Sequence, residues 1–284
     1  NEEHTARFVA TEASFDASGG FVAITGYDVA SQAPWVWAGV PDDVAAVDLA
    51  AARSPVWHST DVGYLAWLAT VGDDLMLRTG RMNPLSRMLR EVADVTSVPE
   101  GSQLVRWDSA GFVVNAGQDG TIVLDSHGSE VWTHPGRTVS ASHDTIMLAD
   151  GTRPDTTEGP DEIMATVYTF SRTGEEGARF IDSEPPAPLQ THRSGWISSA
   201  TDLTARVDVI DQSTSLEVTG SAMATIRKLK IADDVLPAGF IHNDAFFVFR
   251  ADAGNDLIFV NWNVGSSHVL PIPDQYSIIG FGTG

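Results

Sequence analysis

Histidine is the side chain that changes charge near neutral pH and the commonest metal ligand, and the sequence has eight of them. Four sit at or near the ends of short apolar segments. His58 closes PVWHS (from Pro55), His143 closes TVSASH (from Thr138), His192 lies in PLQTHR (from Pro188), and His242 lies in AGFIHN (from Ala238). A fifth such segment, QLVRWD from Gln103, carries Arg106 at the equivalent place. An acid or amide follows several of them: Asp61 after His58, Asp144 after His143, Asn243 and Asp244 after His242. If the segment ends converge, their neutral imidazoles could hold a divalent metal. The competing reading is structural. A polar residue repeated at one place in every unit serves the turn that follows it, whereas an active site breaks a repeat.

Three further groups could carry chemistry. Asp16, Asp73, Asp74, Asp119, Asp202, Asp252 and Asp256 recur in turns, and Asp252, Asn255 and Asp256 bring hard oxygen ligands suited to calcium into one turn. Their spacing is not that of a calcium loop, and Asp, Asn and Gly are in any case the preferred turn residues. The irregular stretch ADGTRPDTTEGPDEI, Ala149 to Ile163, replaces a short turn with a long polar loop. Loops of this length inside a domain are functional or disordered, which makes Arg153, Asp155, Glu158 and Asp161 binding candidates. The eight tryptophans could face a glycan, but they lie inside apolar strands and read as core. No nucleophile elbow, phosphate loop, zinc-protease motif or dinucleotide fingerprint is present.

These residues are positioned by a repeat. Helical periodicity is confined to Asp42–Ala52 and the stretch near Leu85–Glu91, each long enough for a turn or two of helix. Elsewhere, runs of Val, Ile, Phe, Trp and Thr alternate with Gly, Asp, Asn and Ser clusters, the pattern of strands and turns. One strand–turn–strand segment recurs, starting at Phe21, Asp74, Thr121, Ala165, Ala205 and Asp256, at intervals of about 45 residues. A second strand precedes each copy, at Ala6, Val62, Ala110, Asp144, Ser194 and Asp244. The His- and Arg-bearing segments precede those. Four strands at this period make a β-propeller blade.

The expected fold is therefore all-β: a single β-propeller over residues 1–284, most simply of six four-stranded blades. The blades would span about 6–41 with 276–282, 55–95, 103–134, 138–183, 188–231 and 238–272. The first blade lacks its leading strand. YSIIGFG, Tyr276 to Gly282, supplies the missing strand, so the C-terminal strand is expected to complete the first blade and cover its edge.

The third copy, GTIVLDSHGSEVW from Gly120 to Trp132, resembles the blade repeat of the pyrroloquinoline-quinone-type propellers. GFVAITGYDVASQAPWVW from Gly20 is the next closest copy. In that repeat an apolar strand leads to Asp, a Thr-Gly-like turn and Trp. The resemblance implies the propeller fold. It does not imply the quinone, whose Trp docking scheme and calcium ligands have no counterpart in the sequence. No cofactor is expected, and a divalent metal is left open.

Composition narrows the function. Thirty-eight acidic against 17 basic residues give a net charge of −21, which argues against nucleic acid and anionic membrane. It favours solubility and cationic partners. The absence of cysteine excludes disulfides and thiolate chemistry. The chain starts at Asn1, from which an exported or surface-anchored bacterial protein is expected, membrane-attached only through a segment upstream, with a cytoplasmic protein as the alternative. The reading is a monomeric, non-enzymatic propeller binding a protein, small molecule or glycan. The alternative is a lyase or hydrolase acting on carbohydrate-like substrates through a metal or histidine site at the channel mouth.

Overall fold

The computed structural model describes residues 8–40, 43–83, 85–86, 88–150, 165–182, 195–198, 203–210, 213–219, 225–231, 235–241, 246–251, 256–273 and 280–281. Among them the regular elements are strands, apart from one turn of 3-10 helix at Gly117–Asp119. The chain divides into two compact units, one formed by residues 1–130 and 279–284, the other by residues 131–278.

In the first unit, β1 (Phe8–Phe15), β2 (Val22–Asp28), β3 (Pro34–Val40) and β4 (Asp43–Ala50) follow one another as antiparallel neighbours. A second sheet has the order β5 (Ala52–Trp57), β6 (Tyr64–Val71), β7 (Asp74–Met82), β8 (Leu89–Val98). A third has β9 (Gln103–Asp108), β10 (Gly111–Asn115), β11 (Thr121–Leu124) and β12 (Glu130–His134), whose residues after Glu130 are counted in the second unit. Period-2 patterning sets which side chains enter the core. In β7, Leu75 and Leu77 are buried while Met76 and Arg78 between them are only partly so. In β10 all five residues are buried, so both faces of that strand are covered. The fourth strands β8 and β12 are largely exposed and carry charged or polar side chains, which protects these outer edges from pairing with other chains.

The helical expectation for Asp42–Ala52 is corrected. β4 pairs with β3 from Trp35↔Ala50 to Val40↔Asp43 and gives the first sheet an extra strand. Alanine is the best helix former, but the preference is worth only tenths of a kcal/mol per residue, and the open hydrogen-bonding edge of β3 outweighs it. The stretch near Leu85 is likewise not helical: Leu85 and Ser86 form a turn, and β8 begins at Leu89.

Two apolar clusters hold these sheets face to face. Phe21, Val36, Trp57, Leu65, Trp67 and Met82 join the first sheet to the second, with Ala23, Ala38, Ala52 and Ala69 allowing close approach. Leu68, Leu77, Leu104, Phe112, Val114 and Leu124 join the second to the third. A polar latch crosses the first of these interfaces. The Asp16 carboxylate, in the β1–β2 turn, is fully buried. One oxygen accepts the Phe21 N–H (3.0 Å); the other accepts the Gly63 N–H from the β5–β6 turn (3.1 Å). The Ser18 hydroxyl donates to the same carboxylate. Gly63 has φ +78°, and a Cβ there would lie 3.0 Å from the Phe21 ring. Beside the latch, Trp57 Nε1 donates to the Ser14 carbonyl (3.1 Å) and its ring stacks on Phe21.

The second unit repeats the scheme. Its sheets are β13 (Arg137–Ala141), β14 (Thr145–Asp150), β15 (Ala165–Ser171), β16 (Glu176–Asp182); then β17 (Gly195–Ser198), β18 (Thr204–Ile210), β19 (Ser213–Thr219), β20 (Thr225–Lys230); then β21 (Val235–Ile241), β22 (Phe246–Ala251), β23 (Leu257–Asn261), β24 (Ser266–Leu270). Ala205, Leu216, Val218, Val260 and Trp262 form the core between the last two of these. One assignment shifts. The Ser194 segment was read as a second strand, but β17 leads its sheet and lies beside the leading strands β13 and β21. TIRKLK, unassigned by the repeat, supplies β20. Its alternation of exposed and half-buried residues is that of an outer strand. The Pro188 segment lies outside the described residues.

The C-terminal strand returns as expected. β25 (Gly280–Phe281) pairs with β1 in parallel, Ala13↔Gly280 and Ser14↔Phe281, and occupies the free edge of the first sheet.

Two outcomes follow. Replacing Asp16 with alanine leaves the Gly63 and Phe21 amides buried without acceptors and is expected to cost about 3 kcal/mol, read by urea unfolding. Gly111, at the β9–β10 turn, has φ +114°, and a Cβ there would lie 2.1 Å from the Leu124 carbonyl oxygen. Gly111→Ala is expected to destabilise by at least about 3 kcal/mol in the same measurement, because both conformation and space forbid it.

Candidate functional site

The polar residues of the repeat come first, because their hydrogen bonds show how much of their capacity is free. At the hairpin between β2 and β3, and at those between third and fourth strands where the turn is described, a side-chain oxygen accepts backbone N–H groups two to four residues on. Asp28 accepts from Ala30 and Ser31. Asn83 accepts from Leu85 and Ser86. Asp125 accepts from His127 and Ser129, Ser171 from Glu175, and Asn261 from Val264. These side chains replace the backbone acceptors that a tight turn lacks. The Asp of the quinoprotein-like segment is Asp125, so that part of the motif is a turn device.

His58 ends β5 and is nearly buried. Its Nδ1 accepts the N–H of Asp61 (3.0 Å) and, more weakly, that of Thr60 (3.4 Å). The proton of the neutral ring therefore sits on Nε2. The ring meets Trp107 edge-on, 4.9 Å between centroids, and Trp107 stacks on Phe112. Tyr64 flanks Trp107, with the Arg81 guanidinium over its own ring. A parallel bridge ties His58 to Trp107, and the Ser59 N–H donates to the Trp107 carbonyl. Arg106, on β9, is also buried, and its Nε donates to Asp108 at 2.6 Å. His58 and Arg106 are thus brought near one another, but each is engaged structurally, and a guanidinium is no metal ligand.

His143 lies exposed in the β13–β14 turn, its Nε2 3.8 Å from the Asp144 carboxylate. His192 and His242 lie outside the described residues. His134, which the repeat did not single out, uses Nδ1 as His58 does, accepting the Gly136 N–H at 2.9 Å. It packs against Tyr168 and Phe170, next to Trp132, whose Nε1 donates to the Arg172 carbonyl. Among the described residues, no group of three or more His, Asp or Glu side chains is arranged to hold a metal ion.

The acidic turns divide by burial. Asp16 is the interior latch, whereas Asp73, Asp74 and Asp119 are exposed. Asp256 is half-buried; Asp202, Asp252 and Asn255 lie outside the described residues, as do Arg153, Asp155, Glu158 and Asp161. Of the tryptophans whose burial is described, Trp57, Trp67 and Trp262 are buried, and Trp35, Trp37, Trp107 and Trp132 are half-buried.

No protein-family model matches the sequence, and comparison with curated proteins finds no match. Among solved structures, the chain is similar to the β-propeller domain of Cps50 (Swd1) from Myceliophteria thermophila, at 13% identity and TM-score 0.53, covering 95% of this chain and 89% of that one. It is similar to Kluyveromyces lactis Hsv2 at 8% identity and TM-score 0.52, covering 89% and 74%. It also matches a prolyl endopeptidase at 10% identity and TM-score 0.56, covering 93% of this chain but only 42% of the enzyme. At these identities the likeness is one of fold, and the fold is a β-propeller. The finer likeness to quinoproteins is not carried by these matches.

Burial holds the His58 imidazole below its ordinary value of 6.5, against the pull of the Asp61 and Asp108 carboxylates and a hydrogen bond to the Asp108 main chain. The unfolded chain therefore takes up this proton first as pH falls. The stability His58 contributes is present above about pH 6.5 and is lost as pH drops through the lower native value. Urea unfolding at about pH 7 and about pH 5 should show a smaller loss for His58→Asn, which can still accept the turn N–H groups but cannot titrate.

Proposed function

We propose that this β-propeller is a non-enzymatic binding domain of an exported or cell-surface bacterial protein that engages a basic protein through its acidic turns. One observation carries the reading. Among the described residues Asp16, Asp28, His58 and Asp125 are spent on the fold, while Asp73, Asp74 and Asp119 stand exposed on a chain of net charge −21. Surface carboxylates of this kind steer a cationic partner and fix its orientation more than they add affinity. A small-molecule or glycan ligand is the neighbouring possibility within the same binding role. The carbohydrate-active alternative is not favoured, because His58 is committed to its turn and buried. The resemblance of Gly120–Trp132 to the quinoprotein-type blade repeat is one of fold, without the cofactor.

The test is crosslinking on intact cells, followed by affinity measurement with the purified partner. The partner should be basic, and binding should weaken by about tenfold or more between low and high salt. The combined change of Asp73, Asp74 and Asp119 to asparagine should slow association while leaving the thermal midpoint in place. Salt-independent binding, or robust turnover of a small substrate by the pure domain, overturns the proposal.

A further inference from the structure

The first unit contains a cavity that no part of the repeat accounts for. It measures about 640 Å³ and is walled by β1, β2, β5 and the turn leading into β9. That volume lies within the range of small-molecule sites. Phe15, Pro55, Val56, Trp57 and Leu104 give it an apolar lining, and Arg53 is its one charged residue among those described.

Three polar atoms in its wall lack hydrogen-bond partners: Ser14 Oγ, Arg53 Nε and Ser102 Oγ. All three are buried, and Ser102 as a residue is only 1% exposed. Native proteins leave few such groups, and each calls for an explanation. The strand that carries Arg53 is also locally distorted. Pairing of β5 with β6 jumps from Arg53↔Leu68 to Val56↔Ala66, and Ser54 within this bulge has φ +50°. Bulges re-aim side chains, and this one stands next to the cavity's only cation.

Among the described residues Arg53 has one anionic neighbour. Its Nη2 lies 3.5 Å from Glu100 Oε1, and the Glu100 side chain is 83% exposed. A contact that long to a carboxylate that exposed contributes little. Glu100 is thus a loosely held carboxylate at the site where a guanidinium could grip one with two parallel bonds.

We propose that this cavity is a binding site for a carboxylate borne on an apolar group. The carboxylate displaces Glu100 from Arg53, with the Ser14 and Ser102 hydroxyls in the wall turning toward the new acceptor. The apolar body lies against Phe15, Pro55 and Leu104. The site is separate from the acidic turns and does not depend on them. Two sources share the chemistry, a free organic acid and the C-terminal residue of a peptide.

The test uses the whole chain and four probes: phenylacetate, N-acetylphenylalanine, N-acetylphenylalanine amide and inorganic phosphate. Binding is followed by NMR shifts and calorimetry. Saturable binding of either carboxylate, with none of the amide, is the expected result. Tighter binding of phenylacetate assigns a free acid, and tighter binding of N-acetylphenylalanine assigns a peptide terminus. Arg53→Met should weaken the carboxylate by at least about tenfold, the scale of a lost charge-assisted bond. Glu100→Gln, at a side chain that is 83% exposed, should tighten it by about threefold by removing the internal competitor. Both variants should keep the wild-type thermal midpoint. Four results overturn the proposal: no saturation by either carboxylate, equal binding of the amide, a Glu100→Gln affinity no tighter than wild type, or phosphate binding tighter than both acids.

Discussion

A sheet covered on both faces has no solvent to satisfy the turns that end inside the stack. This constraint governs the first unit. The β5–β6 sheet is packed between two apolar clusters, and its turn at Gly63 faces the neighbouring sheet rather than water. The buried carboxylate of Asp16 resolves the conflict by accepting one amide from its own turn and one from the next sheet. Apolar burial supplies most of the attraction between sheets but has no direction. The Asp16 bonds have direction, and with the Trp57-to-Ser14 bond they fix how the two sheets slide against one another. Arg106 and Asp108 form a similarly buried pair one sheet further on.

The same economy explains why polar residues of this repeat are poor places to look for chemistry. An oxygen that already accepts two amide protons has little capacity left, and an imidazole whose Nδ1 caps a turn offers one nitrogen instead of two. Binding capacity then falls to what the repeat does not specify: exposed carboxylates in the turns, and the cavity at the β5 bulge, where three buried polar atoms have no assigned bond.

Much of this was legible in the residues. Alternation in segments such as DLMLRTGRM made strands legible directly, and Asp28, Asn83, Asp125 and Asn261 marked their turns because their side chains make the turns' bonds. The displaced strand at the C terminus was legible as a count, one leading segment too few at the start and one spare at the end. β4 was not legible, since an alanine-rich stretch favours helix locally and becomes a strand only because β3 offers an edge. β20 was missed for a related reason, its Lys and Arg residues being those of an exposed outer strand. The polar cavity was out of reach. Ser14 on β1, Arg53 on β5 and Ser102 in the turn before β9 are far apart in sequence, and only the Ser-Pro pair inside β5 hinted at an irregularity there.

The pairing of β25 with β1 also orders events in time. Residues near Ala13 leave the ribosome early, while their partners Gly280 and Phe281 leave late. At bacterial and eukaryotic rates of synthesis the interval is of the order of tens of seconds. Throughout it, one side of β1 presents unsatisfied amides and carbonyls to every other nascent chain nearby. The first sheet therefore spends its infancy as an open template, and a cell making this protein rapidly faces its greatest risk of intermolecular strand exchange before Gly280 and Phe281 arrive.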